Sequence, residues 1–487
     1  MIAIKTSLKS KFIFVMLLFG DIVFFLAALV ITKFALSGVS EEFIGPQSII
    51  PPLAVLFFFF MMYDLYSAQI DSVFNILIAT ILSVAASTVV SIILVLVFRK
   101  ENIPVLIWVV RFVILEAVMV TWRVFAASRI KKSGRQLRIL IIESMDNTSR
   151  LARKLKYASN YGRESTYYII NPNSKEEIDI ILNEKLEGFD QVFVSPAIPY
   201  DIKNQIETKA FILRKDVSFL AGLAGITTMR GDIVQLDDTP VIQKHPLVIT
   251  KWQKLIKRAF DIVVSLILVV ITLPVFVLCA IAIKLDSKGP VFYKQERYTI
   301  GKKRFNVLKF RTMVEDAEKF GAQLATEDDP RITKVGKVLR AMRLDELPQL
   351  YNILLGSMSV VGPRPERPIF ADEFSQKVKN YDMRYYVKAG LTGYAQVYGK
   401  YNTRVSDKIL MDLIYISRYS FLLDIKLILL TVKTMFVKSA TEGIDEERDR
   451  ELCSIERERK RRQETLKLLG LRGTENEDID NNTGVQL

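Results

Sequence analysis

Histidine and cysteine are scarce in this 487-residue sequence, which has one histidine, His245, and two cysteines, Cys279 and Cys453. A single imidazole argues against catalytic triads, histidine zinc sites and imidazole proton relays. The two cysteines cannot supply a disulfide framework or a cysteine-rich metal site. Any chemistry must therefore rest on carboxylates, lysine, arginine or tyrosine.

Negative charge is also in short supply, since 67 Lys and Arg outnumber 53 Asp and Glu and the net charge is +14. An excess of this size suits a protein that lies against anionic lipid and handles phosphates. Nucleic acid is the rival explanation, but half of the residues are hydrophobic, and long apolar segments make a nucleic-acid partner the weaker hypothesis. The composition favours membrane segments joined to soluble domains.

Four long apolar runs occupy the first quarter of the chain: 12–36, 49–66, 73–98 and 104–127. Each is close to or above the ~20 residues that span a ~30 Å hydrocarbon core. Basic residues precede the first run and follow the fourth, so both ends are predicted to lie in the cytoplasm. Residues 1–130 are therefore predicted to form a four-helix transmembrane unit. Arg111, Glu116 and Arg123 lie in the fourth run and mark either a functional site or charges that pair or reach the interface; the second interpretation is favoured.

Residues 131–245 predict a small Rossmann-like α/β domain in the cytoplasm. Short β-rich runs alternate with polar helical segments, which is typical of a parallel sheet. The β-rich runs are Leu137–Ile142, Thr166–Ile170 and Gln191–Val194, and the helical segments include Asn147–Tyr157 and Tyr200–Thr208. The junction Ile142–Asp146 lacks G-x-G-x-x-G, so a structural or regulatory module is favoured over one that binds a dinucleotide.

A second membrane element follows, because Asp261–Ile283 is almost entirely apolar and has Pro274 near its middle. Basic residues flank this segment on both sides, which violates the positive-inside rule for a simple span. Proline costs about 3 kcal/mol inside a regular helix. A re-entrant helix over residues 256–285, broken at Pro274, explains both observations, and Thr272 is placed to satisfy a freed carbonyl. A kinked helix that crosses the membrane is the alternative.

Residues 246–440 as a whole predict a catalytic α+β domain that carries this re-entrant helix. Two short strands are predicted, Val291–Tyr293 and Phe305–Phe310. Thr333–Met342 predicts an amphipathic helix with a basic face. The apolar runs of Lys408–Lys438 are punctuated by charges, which suits helices that lie in the membrane interface. Residues 441–487 form a highly charged tail that is predicted to be partly disordered.

Two adjacent acids, Asp345 and Glu346, open the apolar helical run Leu347–Leu355. Taken alone, acids in a first turn simply favour the helix dipole, by about 0.3–1 kcal/mol. Adjacent carboxylates can also divide labour, because one can attack phosphorus while the other holds a hard divalent cation through oxygen. Their cationic surroundings favour this second interpretation.

Three cationic elements accompany the acids: Arg343, Arg364 on a loop stiffened by two prolines, and Lys309 with Arg311. The planar fork of a guanidinium matches phosphate oxygens. Phosphoryl transfer asks mainly for positioning and for neutralisation of charge, and these residues can supply both. Arg364 could instead brace its own loop, and Lys309 and Arg311 could be solvated strand residues. Phosphate binding is favoured for Arg364, and the other two are left open.

Several motifs, in this order, resemble those of one known family. The motifs are Lys257–Asp261, Gly289–Phe292, Lys309–Met313, Leu344–Leu350, Val361–Pro365 and Lys388–Val397. Through them, residues 251–438 resemble the catalytic domain of bacterial sugar transferases, the monotopic phosphoglycosyltransferases. The upstream helices and α/β module resemble the long form of the same family.

The resemblance implies a ping-pong mechanism. Asp345 would attack the sugar-proximal phosphate of a UDP-sugar and release UMP, and the phosphosugar would then pass to undecaprenyl phosphate. Glu346 would chiefly hold Mg²⁺, with Asp345 beside it. Lys400 stands where the family commonly has an arginine, and it would keep that charge without the fork. Gln396 is expected either to line the sugar or uracil pocket or to be turn-flanking core.

The resemblance also implies the cellular setting. The protein would be a multi-pass protein of the bacterial inner membrane, with the catalytic domain facing the cytoplasm. It would start the synthesis of an exopolysaccharide, capsule or O-antigen. The lipid bilayer is an expected partner, and a homodimer and downstream glycosyltransferases are compatible with the sequence. The residues do not specify which sugar is transferred.

Two other functions compete with this hypothesis. One is a non-catalytic membrane scaffold or regulator of glycan assembly built on an inactive transferase, which the intact Asp345, Glu346 and Arg364 oppose. The other is a polytopic glycosyltransferase that releases UDP and leaves both phosphates on the nucleotide. The nucleotide product, UDP or UMP, distinguishes this glycosyltransferase from the predicted phosphosugar transferase.

Overall fold

The computed structural model divides the chain into two compact units, of which the first ends at Ala221 and the second begins at Gly222. The residues that it describes are 8–36, 46–67, 72–98, 105–132, 138–142, 166–170, 186–195, 198–228, 230–314, 329–399 and 403–436. The predicted helix Asn147–Tyr157, the residue Lys400 and the tail 441–487 lie outside them.

Four apolar helices make up the helical part of the first unit. They are α1 (Leu8–Ala35), α2 (Pro46–Met62), α3 (Val73–Phe98) and α4 (Val105–Lys132). The stretches Phe12–Ala35, Val73–Val97 and Val105–Ile130 are long and apolar enough to cross a membrane. The second helix is shorter than predicted, because a turn follows Met62 in which Asp64 has a φ of 56°.

A buried ion pair ties three of these elements together. The Nη2 atom of Arg123 on α4 donates to Oδ2 of Asp21 on α1 at 2.5 Å, and Nη1 donates to the carbonyl of Leu65. The Tyr66 hydroxyl and the Trp122 indole N–H also donate to the Asp21 carboxylate. Arg123 is therefore paired, but with a residue of another helix and not with a charge of the fourth run, as the prediction of mutual pairing required.

A parallel four-stranded sheet is also part of the first unit. Its strands are β1 (Arg138–Ile142), β2 (Thr166–Ile170), β3 (Gln191–Val194) and β4 (Asp216–Phe219), in the order β2-β1-β3-β4. Helix α5 (Tyr200–Ile212) connects the last two strands. Leu140, Val192 and Ile206 pack in the core of this module. The predicted parallel α/β pattern is confirmed, and two of its strands have the predicted bounds.

The second unit begins with short elements and then a long helix. These are α6 (Leu223–Thr228), the hairpin β5 (Asp232–Leu236) and β6 (Thr239–Gln243), and α7 (Lys251–Asp286). Helix α7 is also long and apolar enough to cross a membrane. Lys257, Asp261, Ser265, Cys279 and Ile283 are its buried residues, and this spacing places one helix face against the domain. Its other face is apolar and open, with Val270, Ile271 and Leu278 each 66% exposed.

Helix α7 continues through Pro274 without a loss of helical structure, whereas the sequence predicted a break there. Proline removes one backbone N–H, so the carbonyl of Val270 is the one that loses its partner. The Thr272 hydroxyl donates to Leu268 at 2.7 Å, and the prediction that it satisfies a freed carbonyl is wrong. Packing of Val275 and Phe276 against the domain supports the helix beyond the proline.

The remaining elements complete the second unit among the residues that the structure describes. The strands are β7 (Phe292–Tyr298), β8 (Arg304–Phe310), β9 (Ser359–Val361) and β10 (Gly390–Thr392). The helices are α8 (Lys334–Ala341), α9 (Gln349–Leu355), α10 (Pro368–Lys377), α11 (Tyr394–Tyr398), α12 (Val405–Ser417) and α13 (Phe421–Met435). Strands β7 and β8 form an antiparallel hairpin, and β9 pairs with β10 in parallel. The predicted amphipathic helix is α8, and both predicted strands are present.

We expect Asp21→Ala to destabilise the helical part of the first unit by about 3–5 kcal/mol, because it leaves the buried Arg123 guanidinium without its counter-charge. The measurement is the thermal unfolding midpoint of the protein in nanodiscs. Thr121→Val is the matched control, since Thr121 is exposed on α4 and its hydroxyl bonds only Ala117 of its own helix. Equal midpoints for the two variants would contradict the assignment.

Candidate active site

The two acids lie on a short 3-10 turn, Leu344–Glu346, between α8 and α9. Arg343 begins this turn in the left-handed region, with a φ of 54°, which turns the chain sharply after α8. Leu344 and Leu347 pack against Cys279, Ile283 and the rest of an apolar cluster. The acids are therefore held at the surface by apolar neighbours on both sides.

Glu346 is bound by two cations that come from elsewhere in the unit. The Nη2 atom of Arg364 donates to Oε1 of Glu346 at 3.0 Å, and the Lys309 Nζ lies 3.9 Å from the same oxygen. Burial opposes ionisation of Glu346, but the charges of Arg364, Lys309 and Arg343 outweigh it and lower the pKa of Glu346 to about 2. Glu346 is therefore a carboxylate throughout the physiological range.

Asp345 differs from its neighbour, because its carboxylate makes no hydrogen bond or ion pair with any residue that the structure describes. Burial and then the charge of Glu346 raise the pKa of Asp345, against the opposing charges of Lys309 and Arg340. Two adjacent acids thus have pKa values that are displaced in opposite directions, which is the usual sign of divided roles. Asp345 is left with unengaged oxygens.

Lys309 is placed by the β7–β8 hairpin and by Asn352 of α9. The Asn352 side chain accepts from the backbone N–H of Leu308 at 2.9 Å and donates to the carbonyl of Asn306 at 2.8 Å. These two bonds tie β8 to the helix that follows the acids. Lys309 on β8 is therefore held at a fixed distance from Glu346.

Arg364 is placed by a loop whose backbone packs closely against β10. The N–H of Gly362 donates to the carbonyl of Thr392 at 2.8 Å, and the N–H of Gly390 donates to that of Pro363 at 2.9 Å. A Cβ atom on Gly390 would lie 2.1 Å from the Gly362 nitrogen, and one on Gly393 would lie 2.1 Å from the Gly362 oxygen. Only glycine permits this close approach, which fixes the backbone position of Arg364.

Helix α7 supports the same loop through a buried polar network. The Asp261 carboxylate accepts from the Ser359 hydroxyl and the Val360 N–H, both at 2.9 Å. Lys257 pairs with Asp424 of α13 at 2.7 Å, and the Tyr415 hydroxyl donates to the other oxygen of Asp424. Strand β9, which leads into the Arg364 loop, is thus tied to the membrane-associated helix.

The structure brings some of the predicted site residues together and separates others. Lys309, Arg343 and Arg364 all act on Glu346. The Arg311 guanidinium instead donates to the carbonyls of Ser287 and Lys288 at the end of α7. Neither Lys309 nor Arg311 is a solvated strand residue, since the side chain of Lys309 is 20% exposed and Arg311 is buried.

Gln396 lies on α11, and its amide nitrogen donates to the carbonyl of Leu391 at 2.9 Å. Its Oε1 atom is buried and has no hydrogen-bond partner among the described residues. Lys400 lies outside the residues that the structure describes. His245 pairs with the exposed Asp232, next to the β5–β6 hairpin.

Sequence reasoning gave no site role to two residues that build the site, Asn352 and Asp261. Arg340, which belongs to the basic row before the acids, lies on α8, and its charge opposes the rise in the pKa of Asp345. Asn352 and Asp261 position the cationic elements. Each is a polar residue inside an otherwise apolar helical run, a pattern that indicates a buried hydrogen bond.

These features define a class of membrane-associated α/β proteins with a carboxylate pair held among cations. The model of the family described as bacterial sugar transferase matches residues 252–438. A UDP-N-acetylgalactosamine-undecaprenyl-phosphate N-acetylgalactosaminephosphotransferase of Aeromonas hydrophila is 41% identical over 183 residues, which cover 37% of this chain and 43% of that protein.

Two further relatives are each similar to part of the chain. A UDP-glucose:undecaprenyl-phosphate glucose-1-phosphate transferase of Escherichia coli strain K12 is 40% identical over 212 residues, covering 42% of this chain and 46% of that protein. An uncharacterized sugar transferase, EpsL, of Bacillus subtilis strain 168 is 35% identical over 192 residues, covering 39% of this chain and 91% of that protein. The chain belongs to the bacterial sugar transferase family, while it spans less than half the length of the Aeromonas and Escherichia relatives.

Proposed function

We propose that this protein transfers a phosphosugar from a UDP-sugar to undecaprenyl phosphate and releases UMP, through a covalent phosphosugar on Asp345. The observation that carries this proposal is the contrast within the acid pair. Glu346 is held by Arg364 and Lys309, whereas Asp345 has no such partner among the described residues. The names of the relatives supply the substrates.

The first half-reaction uses the unengaged carboxylate as a nucleophile. One oxygen of Asp345 attacks the phosphorus that carries the sugar, the bond from that phosphorus to the bridging oxygen breaks, and UMP leaves with the electron pair. Arg364 and Lys309 neutralise the charge on the diphosphate. Arg343 and Lys400 supply further positive charge. Gln396 follows the Arg364 loop later in the chain.

The second half-reaction restores the enzyme. A phosphate oxygen of undecaprenyl phosphate attacks the same phosphorus, the bond between phosphorus and Asp345 breaks, and the carboxylate returns to its ionised form. The product is a sugar linked to the lipid through a diphosphate. This reaction would be the first membrane step in the synthesis of an exopolysaccharide, a capsule or an O-antigen.

The carboxylate pair fits a divalent cation of the Mg²⁺ type. Such a cation is bound by one or two carboxylates together with substrate phosphates. Oε2 of Glu346 makes no hydrogen bond or ion pair with the described residues, so it would hold the metal, with Asp345 beside it. When bound, the metal supplies charge neutralisation at the diphosphate.

Contacts at both ends of α7 support a re-entrant arrangement. Arg258 donates to the carbonyls of Ile353 and Leu354 near one end, while Asp286 at the other end accepts from the N–H of Val335. A straight helix between these residues would be about 42 Å long, more than the ~30 Å hydrocarbon core. One polar domain would not contact both ends from opposite sides of a bilayer, and this supports a path in which α7 enters and leaves on the same side.

The interfacial helices and the α/β module complete the proposed arrangement. The rings of Phe260 on α7 and Phe421 on α13 lie 5.0 Å apart. Leu422 on α13 and Phe436 directly after it are exposed, which supports an interfacial position for α13. The catalytic domain would face the cytoplasm, where UDP-sugars are made. The strand order β2-β1-β3-β4 agrees with that of flavodoxin-like sheets and supports a Rossmann-like module.

We expect Asp345→Asn to abolish UMP release and to prevent any covalent phosphosugar adduct, because the amide is not a nucleophile toward phosphorus. The measurement is nucleotide release from a panel of UDP-sugars with Mg²⁺ and undecaprenyl phosphate, together with intact-protein mass spectrometry. Asp329→Asn is the control, since Asp329 binds Arg331 two residues away. Turnover by Asp345→Asn would exclude the nucleophile. UDP as the product would favour the other glycosyltransferase chemistry, and no release by the unaltered protein would favour a scaffold.

The acid limb of turnover should follow the ionisation of Asp345. The pKa of this carboxyl is raised, first by burial and then by Glu346, and attack needs the ionised form, so the rate falls as the pH drops through the raised pKa. Arg340 opposes the rise. We therefore expect Arg340→Gln to move the acid limb to higher pH, while Lys337→Gln, an exposed change on the same helix, leaves it in place. A limb that stays fixed or moves to lower pH in Arg340→Gln would refute this assignment.

Cysteine labelling in intact cells tests the path of α7. In a variant without the two native cysteines, we expect Lys294→Cys to react with a membrane-impermeant maleimide only after the cells are permeabilised. Glu42→Cys, in the loop that the sequence places outside, should react without permeabilisation. Labelling of Lys294→Cys from outside would establish a crossing helix instead.

A further inference from the structure

Behind the Arg364 loop lies a buried guanidinium that the proposed reaction does not use. The Nη2 atom of Arg384 donates to the backbone carbonyl of Arg364 at 2.9 Å, and Nη1 donates to the Tyr381 hydroxyl at 2.9 Å. The same guanidinium pairs with Asp412 of α12 at 3.0 Å, and the two side chains are 7% and 2% exposed. The Arg384 guanidinium thus links the Arg364 loop to α12.

Helix α12 anchors the loop at both of its ends. The Tyr415 hydroxyl, which donates to Asp424 at 2.8 Å, also lies 3.2 Å from the carbonyl of Val361 and shares its single proton between the two acceptors. Asp412, one turn earlier on the same face, acts through Arg384 on the carbonyl of Arg364. The loop therefore cannot shift along the helix without breaking one of these two contacts.

The backbone of Arg364 is held in place, whereas its side chain is accessible. Its side chain is 42% exposed, and its guanidinium bonds Glu346 through one nitrogen. A second arginine, Arg297, donates to the carbonyl of Pro365 at 3.2 Å. The backbone carbonyls of Arg364 and Pro365 are thus each held by an arginine, while the fork of Arg364 keeps donors for a ligand.

Stability alone does not account for this buried pair. A buried ion pair is often no more stabilising than apolar residues of the same shape, because both charges lose their hydration. A charge pair does, however, fix direction, since a fork has only a few geometries in which its donors are all satisfied. The contacts of Arg384 therefore indicate that this pair fixes the position of the Arg364 loop.

We propose that Arg384 and Asp412 are positioning residues that hold the Arg364 guanidinium where it meets the diphosphate of the nucleotide-sugar donor. This inference rests on the proposed function, because it concerns the same site. Neither residue touches the substrate. Their effect passes through the Arg364 backbone and is specific to the donor.

Arg384→Lys keeps the positive charge but removes the planar guanidinium. One ammonium group cannot hold the Arg364 carbonyl, the Tyr381 hydroxyl and Asp412 at once. We expect the KM for the UDP-sugar to rise about 10- to 100-fold, which corresponds to the loss of one charged hydrogen bond. The kcat and the KM for undecaprenyl phosphate should change less than about threefold. Loss of folded protein would instead lower the apparent kcat and leave both KM values unchanged.

Two further variants complete the experiment. Tyr385→Phe removes a buried hydroxyl from the same region that has no hydrogen-bond partner among the described residues, so it should leave the donor KM within about threefold. Asp412→Asn removes the counter-charge at nearly constant shape, so it should raise the donor KM in the same direction as Arg384→Lys. It also decides the question if Arg384→Lys does not fold.

The outcomes separate this inference from the proposed function. If the unaltered protein releases no UMP from any UDP-sugar, the proposed function fails. If the unaltered protein is active and both Arg384→Lys and Asp412→Asn keep its donor KM, the positioning role alone is overturned. A rise in the acceptor KM equal to that of the donor would also overturn it.

Discussion

The ion pair between Glu346 and Arg364 is the interaction on which the rest of the site depends. It joins the acid turn to a loop that lies 18 residues further along the chain, and Lys309 approaches the same oxygen from β8. Each of the three groups is placed by different contacts: the packing of Leu344 and Leu347, the close approach at Gly390 and Gly393, and the two bonds of Asn352. The charges can meet only because these contacts set their backbones.

This arrangement gives two neighbouring acids different chemistry. Cations lower the pKa of Glu346 to about 2 in spite of burial. The same burial raises the pKa of Asp345, and the fixed charge of Glu346 raises it further. Glu346 thus remains an anion available for metal and cations, while Asp345 keeps oxygens that nothing in the described structure engages. Separation of roles arises from the surroundings and not from the residue types.

The membrane-associated helix is part of the same construction. Asp261 of α7 bonds Ser359 and Val360 of β9, and Lys257 pairs with Asp424 of α13. The strand that leads to Arg364 is therefore fixed to the helix whose outer face is apolar and open. The proposed reaction needs a site at the boundary between water and hydrocarbon, because its donor is charged and its acceptor is a lipid, and these buried bonds would set the height of the site there.

The sequence by itself determined the apolar helices, the parallel α/β pattern, the amphipathic helix α8 and the candidate acids, because periodicity, charge and short motifs are local properties. Tertiary structure alone decided which cations meet the acids. Arg311 is two residues from Lys309 and directly follows the same strand, yet it bonds the end of α7. The polar residues Asn352 and Asp261 proved to be the supports. The tertiary structure also kept α7 helical through Pro274, since packing on the residues beyond it compensates for one lost hydrogen bond. Such outcomes depend on contacts between distant segments, and local sequence does not encode distances between them.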